Sequence, residues 1–169
     1  MRAFIPVKRS ERLPGKHFLK LGDRRIIDIV FHKVNSVTDA RIVSTFPVDL
    51  PSILDNSKNI MQLLHSLSRN YDEFMLIAGD MPFFTVDDLM LLLDSYRGRT
   101  VIPKHKNGKI EPLFAIYSGT IEMGTSLTSM VNKNTQWIDA SKFSDYAFLN
   151  INTMDDYQNA LLMMKKYIK

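Results

Sequence analysis

The sequence predicts a three-layer α/β fold built on a largely parallel sheet. Candidate strands and helices alternate through most of the 169 residues, which is the pattern of strand–helix–strand units. The run EFMLIAGD (73–80) is apolar without interruption up to its Gly-Asp ending, as in a strand buried on both faces. No internal repeat or low-complexity linker divides the chain, so 1–169 reads as one domain of ordinary size.

Each element has its own signal. RAFIPV (2–7) is a short apolar strand. In RRIIDIVFHKVNSV (24–37), Ile26, Ile27, Val30, Val34 and Val37 recur at helical spacing. ARIVSTF (40–46) is a second strand and NIMQLLHSLSRN (59–70) a helix. After the central strand, TVDDLMLLLDSY (85–96) forms a helix that Thr85 caps, with Asp88 three residues on. Strands at 99–104 and 112–118 flank the turn KNGK (106–109), whose Asn-Gly pair suits an antiparallel hairpin. AFLNIN (147–152) reads as the last strand. TMDDYQNALLMMKKYI (153–168) reads as a closing helix, capped by Thr153 and buried along Tyr157, Leu161, Met164 and Ile168.

Composition narrows the function. With 45% hydrophobic and 24% charged residues, the chain can bury a sizeable core. No apolar run approaches 18 residues and no secretion signal precedes the first strand, so a soluble, unexported, cytoplasmic protein without a membrane partner is expected. The lack of cysteine removes disulfides, thiolate zinc sites and a cysteine nucleophile, and fits an intracellular setting. The net charge is +4. The cations are spread along the chain apart from 8–25 and the C-terminal end, and no aromatic-basic interleaving accompanies them. An anionic small molecule suits them better than a nucleic acid.

In open α/β sheets, ligands bind beyond the carboxyl ends of the strands, which directs attention to three exits. The first strand leads into VKRSERLPGK, with Lys8, Arg9, Arg12 and Lys16 inside nine residues. Such a loop is either a solvated turn or a phosphate cradle. Gly15 would let its backbone approach a ligand, and Arg12 and Lys16 are spaced to reach different phosphates. The central strand leads into Asp80, in apolar surroundings that disfavour an unpartnered carboxylate. It is either a turn aspartate or a ligand for magnesium, an ion held by one or two carboxylates together with phosphates and water. At the third exit Asn150 and Asn152 share a strand face. Their carbonyls suit a metal shell or hydroxyls, unless Asn152 simply closes the strand with an Asx turn. The loop is not a Walker A motif, and the dinucleotide fingerprint is also absent. His17, His32, His65 and His105 show no metal-ligand spacing and are read as non-catalytic. Trp137 is read as packing, and Glu111 as the partner of Lys109.

MLIAGDMPFFTVDDLMLLL, EPLFAIYS and FLNINTMDDYQNA resemble the molybdenum cofactor guanylyltransferases, members of the α/β nucleotidyltransferase superfamily. Ser10 and Arg12 keep the spacing of that family's first loop. IPVKRSERLPGK itself resembles the first loop of cytidylyltransferases that activate sugar acids. The resemblance implies a Rossmann-like, GT-A-like nucleotidyltransferase fold and transfer of GMP from GTP to molybdopterin with release of pyrophosphate. A CTP-dependent cytidylyltransferase and a non-catalytic nucleotide-binding relative are the alternatives. It implies a nucleotide and a phosphorylated acceptor as partners, and Mg2+ held by Asp80 with Asn152. Lys16, Arg12 and Lys8 would neutralise the triphosphate, and Ser10 and the loop amides would hold its oxygens. An Asp80→Ala change is then expected to cost rate rather than stability.

Overall fold

In the computed structural model, which describes residues 1–131 and 134–167, the chain opens with β1 (Arg2–Val7). A 3-10 turn (Lys16–Phe18), β2 (Lys20–Leu21) and β3 (Arg24–Arg25) lead to α1 (Ile26–Asn35). Next come β4 (Asp39–Ser44), β5 (Ser52–Leu54), α2 (Ile60–Asn70) and β6 (Glu73–Ile77). The second half holds α3 (Val86–Asp94), β7 (Val101–Lys104), β8 (Phe114–Ser118), α4 (Leu127–Met130), β9 (Gln136–Asp139) and α5 (Met154–Tyr167).

Seven strands form one sheet in the order β5-β4-β1-β6-β8-β7-β9. β8 runs antiparallel to both of its neighbours, and the remaining neighbouring pairs run parallel. The carboxyl ends of β1, β4, β6, β7 and β9 therefore share one edge. Side-chain alternation divides the core between the two faces. Ala3, Ile5, Val7, Met75 and Ile77 pack with Ile27, Val30, Leu89 and Leu92 of α1 and α3. Phe4, Phe74, Leu76 and Tyr117 pack with Leu63, Leu64 and Leu67 of α2. Phe4 and Ile5 are both fully buried, so β1 is covered on both faces, as an interior parallel strand must be.

The Thr85 cap forms as read. Thr85 Oγ1 accepts from the Asp88 amide at 3.1 Å, and Asp88 Oδ2 accepts from the Thr85 amide at 2.7 Å. Asp88 also accepts from the amide and hydroxyl of Ser144 at 2.8 and 2.6 Å, tying the 144–149 turns to α3. Burial opposes its ionisation, but the hydrogen bonds from Ser144 and Thr85 outweigh it and hold the carboxyl below its usual range. The Asn-Gly turn reverses the chain between β7 and β8, with Lys104 bridged to Ile110.

Three readings are corrected and one strand is added. Residues 147–152 are not a strand. Ala147 and Leu149 donate back to Ser144 and Tyr146, and the apolar side chains bury without laddering, Phe148 packing on Phe114 and Phe143. The strand at that end is β9, which pairs with β7. The helix at 24–37 starts only at Ile26, because Arg24 and Arg25 pair with Lys20 and Leu21 across a turn at Gly22, whose φ is 64°. Residues 52–54 form the exposed edge strand β5, which lacks the apolar signal of a buried strand. Trp137 is 44% exposed on β9, with the Lys104 ammonium 5.0 Å above its ring.

The closing helix packs Tyr157, Leu161 and Met164 against Leu13, Leu21, Ile26 and Ile151 rather than onto the sheet. Ile168, the last member of the expected stripe, lies outside the described residues, as does Lys169.

Candidate functional site

Three backbone devices bring the three exits together. Leu13 is 5% exposed and pins the cationic loop into the small core beneath α5. Its amide donates to Ser10 Oγ at 3.2 Å, and the Lys16 amide donates to the Leu13 carbonyl at 3.2 Å. Gly15 then takes φ 68°, a left-handed conformation suited to glycine, and turns the chain into the 3-10 segment that presents Lys16. At the end of β6, a Cβ on Gly79 would lie 2.9 Å from the Pro6 carbonyl oxygen. This close approach of β1 and β6 is possible only without a side chain, and it sets Asp80 beside the loop. Finally, the Ile151 amide donates to the Asp80 carbonyl at 3.0 Å, which delivers Asn152 to the same point.

The side chains meet there. Lys16 Nζ donates to Asp80 Oδ2, in an ion pair whose side chains are 11% and 14% exposed. It also donates to Asn152 Oδ1 at 2.8 Å. Asn152 is held from behind by its own amide, which donates to Asp156 at 3.0 Å beside the cap that Thr153 forms on α5. The Asn152 amide is the largest influence holding the Asp156 carboxyl below its ordinary range. Downstream of Asp80, buried Met81 and Phe84 anchor the chain. Lys33 braces it by donating to the carbonyls of Pro82 and Phe84 at 2.8 and 2.7 Å.

Asp80, Lys16 and Asn152 lie on a cleft of about 600 Å³ that Pro6, Lys8, Arg9, Ser10, Arg12 and His17 also line. Cations dominate its wall, with Glu11 and Asp80 as its carboxylates. Lys8, expected to join a phosphate cradle, donates to the Ser57 carbonyl at 3.0 Å. Burial lowers its pKa, against the opposing pull of Asp55. Arg9 lies over the Phe46 ring at 5.9 Å, and Arg12 is exposed.

Two expected residues stand elsewhere. Asn150 does not line the cleft; its side-chain amide donates to the Phe148 carbonyl at 3.2 Å. With no strand at 147–152, the alternation that paired it with Asn152 does not operate. Gly15 borders a neighbouring recess rather than the cleft. Glu111 is 5% exposed and pairs with Lys109 at 2.9 Å, as read, and also with His105 at 2.8 Å.

The donor set at this point suits a hard divalent cation. Asp80 Oδ2 and Asn152 Oδ1 both reach the position taken by the Lys16 ammonium, and one of the two is anionic. No cluster of three or more His, Asp or Glu forms among the described residues. A magnesium ion would therefore complete its shell with phosphate oxygens and water, its usual habit. No helix among the described residues is long and apolar enough to cross a membrane.

Comparison with known proteins follows the same lines. The sequence model of the MobA-like NTP transferase domain matches residues 8–136. A curated relative from Pyrococcus furiosus, described as a probable molybdenum cofactor guanylyltransferase, is 26% identical over 117 residues. That match spans 60% of each chain. Among solved structures, molybdopterin-guanine dinucleotide biosynthesis protein A from Archaeoglobus fulgidus superposes with a TM-score of 0.78 at 22% identity, covering 98% of this chain and 100% of that one. A cytidylyltransferase from Leptospira borgpetersenii gives 0.69 at 13% identity, covering 99% and 87%. These likenesses establish the nucleotidyltransferase fold.

Proposed function

The chain belongs to the MobA-like NTP transferase domain family, and on that premise we propose that it is a magnesium-dependent nucleotidyltransferase that transfers GMP from GTP to molybdopterin. The observation that carries this reading is the convergence of Lys16, Asp80 and Asn152 at the wall of a cation-lined cleft. The named function of the Pyrococcus relative supports the choice of base and acceptor. The ligands on this reading are small molecules, a nucleotide and a phosphorylated acceptor, and the cysteine-free chain suits the cytoplasm.

An acceptor phosphate oxygen attacks the α-phosphorus of GTP, the bond to the bridging β-phosphate oxygen breaks, and pyrophosphate leaves with that electron pair. Positioning and charge neutralisation supply the catalysis. Lys16 swings from Asp80 to the phosphates as the nucleotide enters, and Arg12 neutralises the leaving group. Lys8, Ser10 and the loop amides hold the remaining oxygens. Asp80 and Asn152 would hold magnesium. When bound, that ion would supply Lewis-acid neutralisation of the charge that develops on the reacting phosphate.

A second reading rests on one observation, the likeness of IPVKRSERLPGK to the first loop of sugar-acid cytidylyltransferases, and would make the nucleotide CTP. A thermal-shift screen of GTP, CTP, ATP and UTP with magnesium separates the two. Selective stabilisation by GTP, lost in Asp80→Ala, is the expected result. Selective stabilisation by CTP moves the assignment to the second reading, and no stabilisation by any of the four refutes both.

A further inference from the structure

The floor of the cleft holds a side chain that this chemistry leaves unused. His17, in the middle of the 3-10 turn Lys16–Phe18, is 5% exposed. Its ring packs against the end of β6, with Cδ2 3.2 Å from where a Cβ on Gly79 would stand. Two less buried histidines have partners within the protein: His65 Nδ1 meets the Ile121 carbonyl and His105 Nε2 meets Glu111. Neither ring nitrogen of His17 is hydrogen-bonded by another described residue. Yet no fully enclosed polar side-chain atom of the described residues lacks a partner. The imidazole nitrogens therefore open onto the space the residue lines, namely the cleft and an adjoining recess of about 390 Å³.

The partner those nitrogens lack within the protein comes from what enters the space, water or a ligand. Lys8 and Arg9 line both cavities with His17, and Lys16 and Arg12 border the cleft, so an anion is drawn there. Burial is the main influence on the ring and lowers its pKa to about 4. Before a ligand enters, the ring is therefore uncharged near neutral pH, with one N–H to donate and one nitrogen to accept.

We propose that His17 is a further nucleotide-contacting residue, its ring N–H donating to a phosphate oxygen of the bound triphosphate. The inference rests on the nucleotide-binding reading above and adds to it a residue whose type and spacing gave no such signal. It fixes the polyphosphate from the floor of the cleft while the loop cations neutralise it from the wall.

The test uses the full chain with 15N-labelled histidine. Ring resonances are followed as Mg·GTP, pyrophosphate or guanosine is added, and His17 is assigned from its loss in His17→Gln. Both phosphate-bearing ligands are expected to move the His17 nitrogens, and guanosine to leave them in place. In calorimetry, His17→Leu is expected to weaken GTP binding about tenfold, and His17→Gln, which keeps an N–H donor, to recover most of that loss. A His17 signal that stays still while GTP binds normally overturns the inference and leaves the nucleotide reading intact. A shift with guanosine but not pyrophosphate also overturns it, because the ring would then read the base. If none of the ligands binds, the nucleotide reading falls and this inference with it.

Discussion

Replacing Asp80 by Asn tests stability and function together. The Lys16–Asp80 pair is nearly enclosed, with side chains 11% and 14% exposed. Opposite charges about 3 Å apart attract by roughly 5 kcal/mol at an effective dielectric near 20, and the cost of desolvating both offsets much of that. Removing one partner of a fully enclosed pair costs about 3–5 kcal/mol. Here the pair faces an open cleft and Lys16 keeps Asn152 at 2.8 Å, so we expect a loss of about 2 kcal/mol. For a chain of this size that lowers Tm by about 4–8 °C. This differs from the sequence expectation that Asp80 serves rate alone, because the sequence does not show its buried partner. Turnover should fall at least ~100-fold, since the anionic ligand of the proposed metal is gone. Adding Lys16→Met removes the stranded charge, so the double variant should return to within about 1 kcal/mol of the parent while staying inactive. Urea titration reads the stability and pyrophosphate release reads the rate. Additive destabilisation in the double variant, or an Asp80→Asn enzyme with near-parental turnover, would refute the reasoning.

Two further outcomes follow from the same edge of the sheet. Gly79→Ala places a methyl 2.9 Å from the Pro6 carbonyl oxygen and 3.2 Å from His17 and Val7. Because a backbone oxygen cannot rotate away, the strands must part, at a cost of about 1–3 kcal/mol and with weaker nucleotide binding; unchanged stability by urea titration would contradict the close approach. For pH, the folded pKa of His17 is lowered to about 4 from 6.5, so between those values the unfolded chain binds a proton that the folded chain does not. Stability should therefore rise from pH 4 to 6.5, by about 3 kcal/mol at most from this group. His17→Gln should flatten that segment of the stability profile.

Much of the fold was legible because its signals are local. Unbroken apolar runs mark β1 and β6, and the spacing of Thr85 and Asp88 marks the capping box of α3. The Asn-Gly pair marks the reversal into β8, the strand that runs antiparallel to its neighbours in the seven-stranded sheet. β5 and β9 were missed because edge strands need no continuous apolar run, and 147–152 misled because its apolar residues serve packing rather than a ladder. At the site, the strand-exit rule selected Lys16 and Asp80, and a strand that does not form selected Asn152; the structure brings the three together. The rule could not reveal that Lys16 pairs with Asp80, that Lys8 reaches Ser57, or that Asn150 turns away. Each of these depends on tertiary neighbours. His17 escaped for the same reason, since a lone histidine after Lys16 carries no spacing signal and only the burial and open nitrogens of the folded chain distinguish it.

The most direct test of the central claim follows label from α-32P-GTP into a molybdopterin dinucleotide, with pyrophosphate measured alongside. Magnesium-dependent transfer with one pyrophosphate released per nucleotide joined, abolished in Asp80→Ala, is the result expected here. A protein that binds GTP and magnesium yet releases no pyrophosphate with either molybdopterin or a sugar acid would contradict the account and leave a nucleotide-binding relative in its place.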